Sequence, residues 1–210
     1  MGQGEARNGR PLSLLGLIRE DFRTHRRAWT SPGFHAMVMY RLGAWRRRRS
    51  WPLRVGLAPF TKLMHLWVRN FYGIEIYDTC TIGRRFRIGH QNGIVIHKFA
   101  TFGDDCRVHQ GVTFGVGTTW RRGHGPRIGN RVNIGVGAVI VGEPVIGDDV
   151  NIGPNVVISS NIPAGCTVFA PPPRIIRQQP LESASNESDR VGGERDLVPA
   201  PQPGGASDNE

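Results

Sequence analysis

The sequence predicts an α+β chain in which a helical domain leads into a parallel β-solenoid. Two spacings and one change of composition carry that expectation. An aliphatic or Phe residue returns at six-residue steps through Ile76, Ile82, Ile88 and Ile94, then Phe102, Val108 and Phe114, then Ile128, Ile134, Ile140, Ile146, Ile152 and Ile158. Before that array the apolar residues fall at helical spacing, and after it the chain turns rich in Pro, Gly, Ser and acids. A fixed period of six with Gly or Asn nearby marks short flat strands stacked as coils, whereas period two marks an ordinary strand and 3.6 a helix.

Three steps make one coil of roughly eighteen residues, each aliphatic side chain pointing into a triangular prism and small or turn-forming residues sitting at its corners. Gly83, Gly103, Gly129, Asn133, Gly135, Gly147, Asp148, Gly153 and Asn155 are the corner candidates. Length allows about five coils. The step from Ile94 to Phe102 is two residues too long, and the fourteen from Phe114 to Ile128 place Gly115 to Arg127, GVGTTWRRGHGPR, outside the prism as a loop carrying His124. A corner already faces solvent, so an insertion there is tolerated.

From Leu12 to Tyr72, the series Leu14, Leu15, Ile18, Phe22; Phe34, Met37, Val38, Leu42, Trp45; and Leu57, Phe60, Met64, Trp67, Phe71 predict three helices, with breaks near Ser31–Pro32 and from Ser50 to Pro52. The expected organisation is a flexible start over 1–11, a helical domain over 12–72, a solenoid domain over 73–177 and a disordered tail over 178–210. The tail has few large apolar groups whose burial would offset its ordering entropy. Gly165 and the run Pro171–Pro173 close the solenoid, since proline lacks the amide another rung would need.

The 210 residues carry 27 Lys and Arg against 17 Asp and Glu, a formal +10, with the excess before Gly73 and its peak at Arg46–Arg49. Such a patch suits an anionic surface. No helix-turn-helix, zinc-finger or aromatic-interleaved RNA motif accompanies it, so nucleic acid is not an expected partner. The apolar run LSLLGLI is too short to span a membrane and no signal-peptide pattern opens the chain. Cys80, Cys106 and Cys166 make an odd count, read as reduced thiols in a cytoplasmic protein, with peripheral contact to the inner face of a membrane through the basic helices left open.

Four stretches together carry a family resemblance: IREDFRTHRR with PGFHAMVMYRLGAW, GIEIYDTCTIGRRFRIGHQNGIVI, the loop ending HGPRIG, and IPAGCTVFAPPPRII. Over roughly Leu14 to Ile176 the chain resembles the serine O-acetyltransferases, left-handed parallel β-helix enzymes that use acetyl-CoA as cosubstrate and no metal. The resemblance implies His90 as the catalytic base, Glu75, fifteen residues upstream, as the carboxylate that orients it, and His124 as a second site histidine. The family usually has Asp at the position of Glu75. An alcohol is a poor nucleophile at neutral pH, so an imidazole must take its proton as the oxygen attacks the thioester, and a carboxylate behind the ring fixes its tautomer. The fifteen-residue spacing, close to one coil, predicts that Glu75 and His90 lie on neighbouring rungs.

An amide of Gly115 to Gly117 is the expected donor to the oxyanion. Gly115, Gly117, Ala138 and Arg174 are the expected acetyl-CoA contacts, and a homotrimer or dimer of trimers is the implied assembly. Two positions depart from the family. The carboxylate before the catalytic histidine and the arginine before the loop histidine, which hold the amino acid's charged groups, are here Gly89 and Gly123. An amino acid would leave its ionic groups poorly paired without them. The expected acceptor is therefore a sugar hydroxyl of a surface polysaccharide, with free serine, giving O-acetyl-L-serine for cysteine biosynthesis, as the alternative. A noncatalytic hexapeptide scaffold is the reading from another class, and the presence of both Glu75 and His90 argues against it. A zinc site on His90, His97, His109 and His124 is disfavoured because their spacing matches no short paired-ligand pattern. His97 and His109 are read as corner or interface residues, with His97 a candidate for the acceptor cleft.

Overall fold

Ser13 and Ser31 each start a helix. Their hydroxyls accept from the Gly16 amide at 3.2 Å and the Phe34 amide at 3.4 Å, taking donors that a helix start leaves unpaired. They open α1 (Leu14–Thr24) and α2 (Pro32–Arg47) in the computed structural model, which describes residues 12–117 and 123–175. The expected flexible start, the expected tail and residues 118–122 of the predicted loop lie outside those residues.

The third predicted helix is two helices, α3 (Trp51–Gly56) and α4 (Ala58–Tyr72). Pro59 is the reason: it has no amide for the Val55 carbonyl, and its ring would collide with that carbonyl in a continuous helix. Gly73 ends α4 in the left-handed region at φ +61°, where a Cβ would come within 2.7 Å of Asn92 Oδ1. Conformation and space both require glycine there.

The coils follow. The first holds β1 (Ile74–Ile76), β2 (Thr81–Ile82) and β3 (Arg87–Ile88); the second β4 (Ile94–Ile96), β5 (Thr101–Phe102) and β6 (Arg107–Val108). The third holds β7 (Thr113–Gly115), β8 (Arg127–Ile128) and β9 (Asn133–Ile134), and the fourth β10 (Val139–Val141), β11 (Val145–Ile146) and β12 (Asn151–Ile152). In place of a full fifth coil there are β13 (Val157–Ile158) and β14 (Thr167–Val168), with a single bridge from Ile162 to Ile146 between them. All pairings are parallel, giving three faces ordered β1-β4-β7-β10-β13, β2-β5-β8-β11 and β3-β6-β9-β12-β14. This is the predicted β-helix, with its aliphatic columns buried inside.

One register differs from the expectation. Ile76 pairs with Ile96, and Ile96 with Phe114, so Ile96 rather than Ile94 occupies the six-residue column. The two surplus residues therefore precede β4. The Gly111 amide bonds the Asn92 carbonyl just as the Gly137 amide bonds that of Gln110, making Asn92 and Gln110 equivalent. Ile88 pairs with Val108, which aligns Gly89 with His109. The residues left over are His90 and Gln91. The longer insertion follows Phe114 as predicted, since Thr113 pairs with Val139, 26 positions on. It is shorter than expected at both ends: Gly115 in β7 pairs with Val141 and Arg127 in β8 with Thr101, so both belong to the prism.

The helices cover the open end of the prism with polar side chains. Tyr40 Oη donates to the Cys80 carbonyl and accepts from the Ile82 amide at 2.9 Å, and Arg41 donates to the carbonyls of Ile82 and Gly83. His25 Nε2 accepts from the Ile88 amide at 3.2 Å while Nδ1–H donates to the Asp21 carbonyl. A first coil would otherwise present unpaired backbone groups at its edge. Burial pushes the Tyr40 hydroxyl up to about 12, so it stays a donor. Helices and coils form one compact unit ending at Pro171.

Candidate active site

The corner between β3 and β4 carries the irregularity that matters. His90 and Gln91 are extra to the coil, so they bulge from the corner instead of following the prism edge. Gly89 before them stays in register through its amide bond to the Val108 carbonyl, and Asn92 after them is held by the Tyr72 carbonyl at the end of α4. The bulge faces a cleft of about 590 Å³ lined by Asn70, Tyr72, His90, Gln91, Asn92 and Gln110, among others. His90 is exposed there, and among the described residues no hydrogen bond or ion pair engages its ring. An imidazole so placed can take a proton from a group entering the cleft.

Glu75 is not its partner in this structure. Glu75 pairs with Val95, twenty positions on, because the two extra residues make this coil longer than the fifteen-residue spacing assumed. Its carboxylate accepts from the Tyr77 hydroxyl, and that bond holds the Tyr77 hydroxyl above its usual range. His124 stands at a different corner, where its Nδ1 lies 3.5 Å from Glu143 Oε2. Gly115 and Gly117 share that corner, and among the described residues a Cβ built on either meets nothing within 4 Å. One chain thus places His90 and the glycine loop at opposite ends of the face formed by β1, β4, β7 and β10.

Ala138 does not fit the contact expected of it. It is fully buried with its methyl in the core, which leaves no side-chain surface for acetyl-CoA. Arg174 is exposed and lies in the segment after Pro171. His97, a candidate for the acceptor cleft, sits instead after β4 with its ring edge-on to Phe99, outside the lining around His90. Burial, with Lys98 adding to it, lowers its pKa.

No family model matches the chain. Individual relatives do. The serine acetyltransferase of Helicobacter pylori is 36% identical over 137 residues, covering 65% of this chain and 76% of that protein. That of Synechococcus elongatus is 37% identical over 146 residues, 69% of this chain and 57% of that one. The chain belongs to the serine acetyltransferase family. It is accordingly an acetyl-CoA-dependent O-acyltransferase.

Solved members of the serine acetyltransferase family share the architecture. The crystal structure of isoform 3 from Entamoeba histolytica, in complex with cysteine, superposes with TM-score 0.66 at 28% identity, covering 79% of this chain and 62% of that one. The soybean enzyme complexed with serine gives 0.65 at 25% identity, over 78% and 70%. Against this family background the cleft contains residues that sequence reasoning missed. Asn70, Tyr72 and Gln110 lie outside the stretches that carry the resemblance, and with Asn92 they meet only because the end of α4 docks on the bulged corner. Gln110 Oε1 is buried and has no hydrogen-bond partner among the described residues, an acceptor that a donor in the cleft would satisfy.

Proposed function

We propose that this chain transfers the acetyl group of acetyl-CoA to the hydroxyl of L-serine. The observation that carries the reading is the bulged corner: the one imidazole the family resemblance singles out as base is extruded from the coil, exposed and unengaged, at the mouth of a polar cleft. The relatives support serine over a sugar as acceptor, since the proteins at 36–37% identity and the solved folds described above are named serine acetyltransferases.

In this mechanism His90 takes the proton of the acceptor hydroxyl as its oxygen forms a bond to the acetyl carbonyl carbon. The carbon–sulfur bond then breaks, and the proton passes to the departing thiolate. The backbone at Gly115 and Gly117 suits approach of the thioester and donation to its oxyanion. That loop and His124 lie at the other end of the face from His90, so a complete site requires a neighbouring prism to supply them. A trimer meets that need. Glu75 orients His90 only after leaving Tyr77, an exchange available to a side chain on the outer surface of β1.

A sugar hydroxyl is the second reading, and Gly89 with Gly123 is the observation in its favour, because neither charged clamp is present. The two are separated by CoA release from acetyl-CoA with the wild type and His90→Ala, offering L-serine beside a panel of sugars and oligosaccharide repeat units. Serine-dependent release that falls by about 10²–10⁴ in the variant supports the first reading. Release with a sugar alone replaces it by the second, and turnover independent of His90 sinks both.

A further inference from the structure

We infer that the outer end of the helical domain, formed by α3 and the first turns of α4, is a docking surface for an anionic lipid bilayer. The inference does not depend on which acceptor takes the acetyl group. Every residue of α3 is exposed, Trp51 to 73%, so its large apolar side chains, Trp51, Leu53 and Val55, find no place in the core. A helix this short is not stable in water on its own propensity. α4 adds a second apolar strip. Thr61 and Val68 are buried, and His65 between them stands 5.6 Å from the Tyr77 ring on the first coil. Phe60, Leu63 and Trp67 recur at steps of three and four on the flank turned away from that contact, and they stay exposed, Leu63 to 67%.

The same surface carries positive charge and no free acid. Between Leu12 and Tyr72 the acids are Glu20 and Asp21, both paired at the seam with Arg84, Arg85 and Arg41. Arg48, Arg54 and Lys62, interleaved with the apolar residues, are exposed. This combination selects the occupant. A second copy would set basic surface against basic surface, because a two-fold contact pairs a patch with itself. A soluble polyanion matches the charge but leaves the indole and aliphatic groups in water. An anionic bilayer answers both, with headgroup charge for the arginines and the acyl boundary for Trp51, Leu53 and Leu63. The contact is peripheral, since no helix among the described residues is long and apolar enough to cross a membrane. In the trimer proposed above, cyclic symmetry places all three helical caps at one end, so three patches engage together.

The test is flotation of the full chain with lipid vesicles over a salt series. Binding is expected with phosphatidylglycerol and phosphatidylcholine in equal parts, not with phosphatidylcholine alone, and should weaken as salt rises. Arg48→Gln with Arg54→Gln should lower the partition coefficient about 30-fold or more, two arginines at about 1 kcal/mol each. Trp51→Ala with Leu63→Ala should lower it about 10-fold or more. All four positions are exposed, and melting temperature checks that each variant folds as the wild type does. Absence of flotation with phosphatidylglycerol overturns the inference, as does equal flotation with phosphatidylcholine alone, or binding that Trp51→Ala with Leu63→Ala leaves unchanged. Self-association in sedimentation equilibrium that this pair abolishes, without flotation, would assign the face to a second copy. Dextran sulfate bound without flotation would assign it to a soluble polyanion. Turnover that depends on His90 is read separately, so failure of the serine reading is distinguishable from failure here.

Discussion

From Leu12 to Tyr72 the chain carries twelve Lys and Arg against two acids, and from Gly73 to Ile175 ten against seven. The two regions use these charges differently. The solenoid pairs them rung to rung along a corner, Arg85 with Asp105 and Arg131 with Asp149, each in the left-handed conformation. The helices commit both acids to their seam with the first coil: Glu20 pairs with Arg84 and Arg85, and Asp21 with Arg41. Burial raises the Glu20 pKa, but the hydrogen bond and charge of Arg84 outweigh it and hold the carboxyl low, with Arg85 adding to the effect. The coils are thus stabilised by many similar contacts, while the helices depend on a few that have no substitute. Their outer surface is left strongly basic, with Arg48, Arg49, Trp51, Leu53, Arg54 and Val55 exposed.

The strongest test of that contrast is the seam. Arg41→Ala leaves the Asp21 carboxylate buried without its guanidinium and the Ile82 and Gly83 carbonyls without donors, so a loss of about 3–5 kcal/mol is expected, read as a drop in the urea midpoint. A loss within the range of surface substitutions would show that the helices do not rely on it. Within the solenoid, Ile140→Ala removes a fully buried side chain and should cost about 2–5 kcal/mol. Because neighbouring coils hold the register, circular dichroism should keep its β signal below the melting temperature; loss of that signal would mean the coils are not quasi-independent.

A smaller effect concerns pH. Burial lowers the His25 pKa, the Asp21 carbonyl and charge opposing it. The folded state thus binds its proton less readily than the unfolded chain, whose histidine titrates near 6.5. Stability from neutral His25 is full above about pH 6.5 and is lost as pH falls through the folded value. Melting temperature measured between pH 5 and 7.5 should fall on acidification, and His25→Gln should flatten the slope. An equal slope in the variant would assign the effect elsewhere. Least of all, Asp105→Asn breaks an exposed pair in which the Arg85 hydrogen bond holds the carboxyl low. Screening limits the cost to about 0.2–1 kcal/mol, and high salt should reduce it further.

Spacing alone was enough for the β-helix, the large insertion after Phe114 and the helical segment, because an aliphatic residue every sixth position and a proline at a boundary act through their near neighbours. Spacing could not choose between Ile94 and Ile96, since both point inward and alternate residues on a strand share a face. That choice was made by pairing with Ile76 and Phe114, and it decided that His90 sits on a bulge. The same holds for Glu75, whose separation from His90 suggested adjacent rungs until the longer coil set it beside Val95. The composition of the cleft was likewise a matter of tertiary contact: Tyr72 and Gln110 meet across 38 positions of sequence. Periodicity determines which side chains face inward, because it repeats along the chain; the environment of an imidazole at a corner depends on what packs against that corner, and no local pattern encodes it.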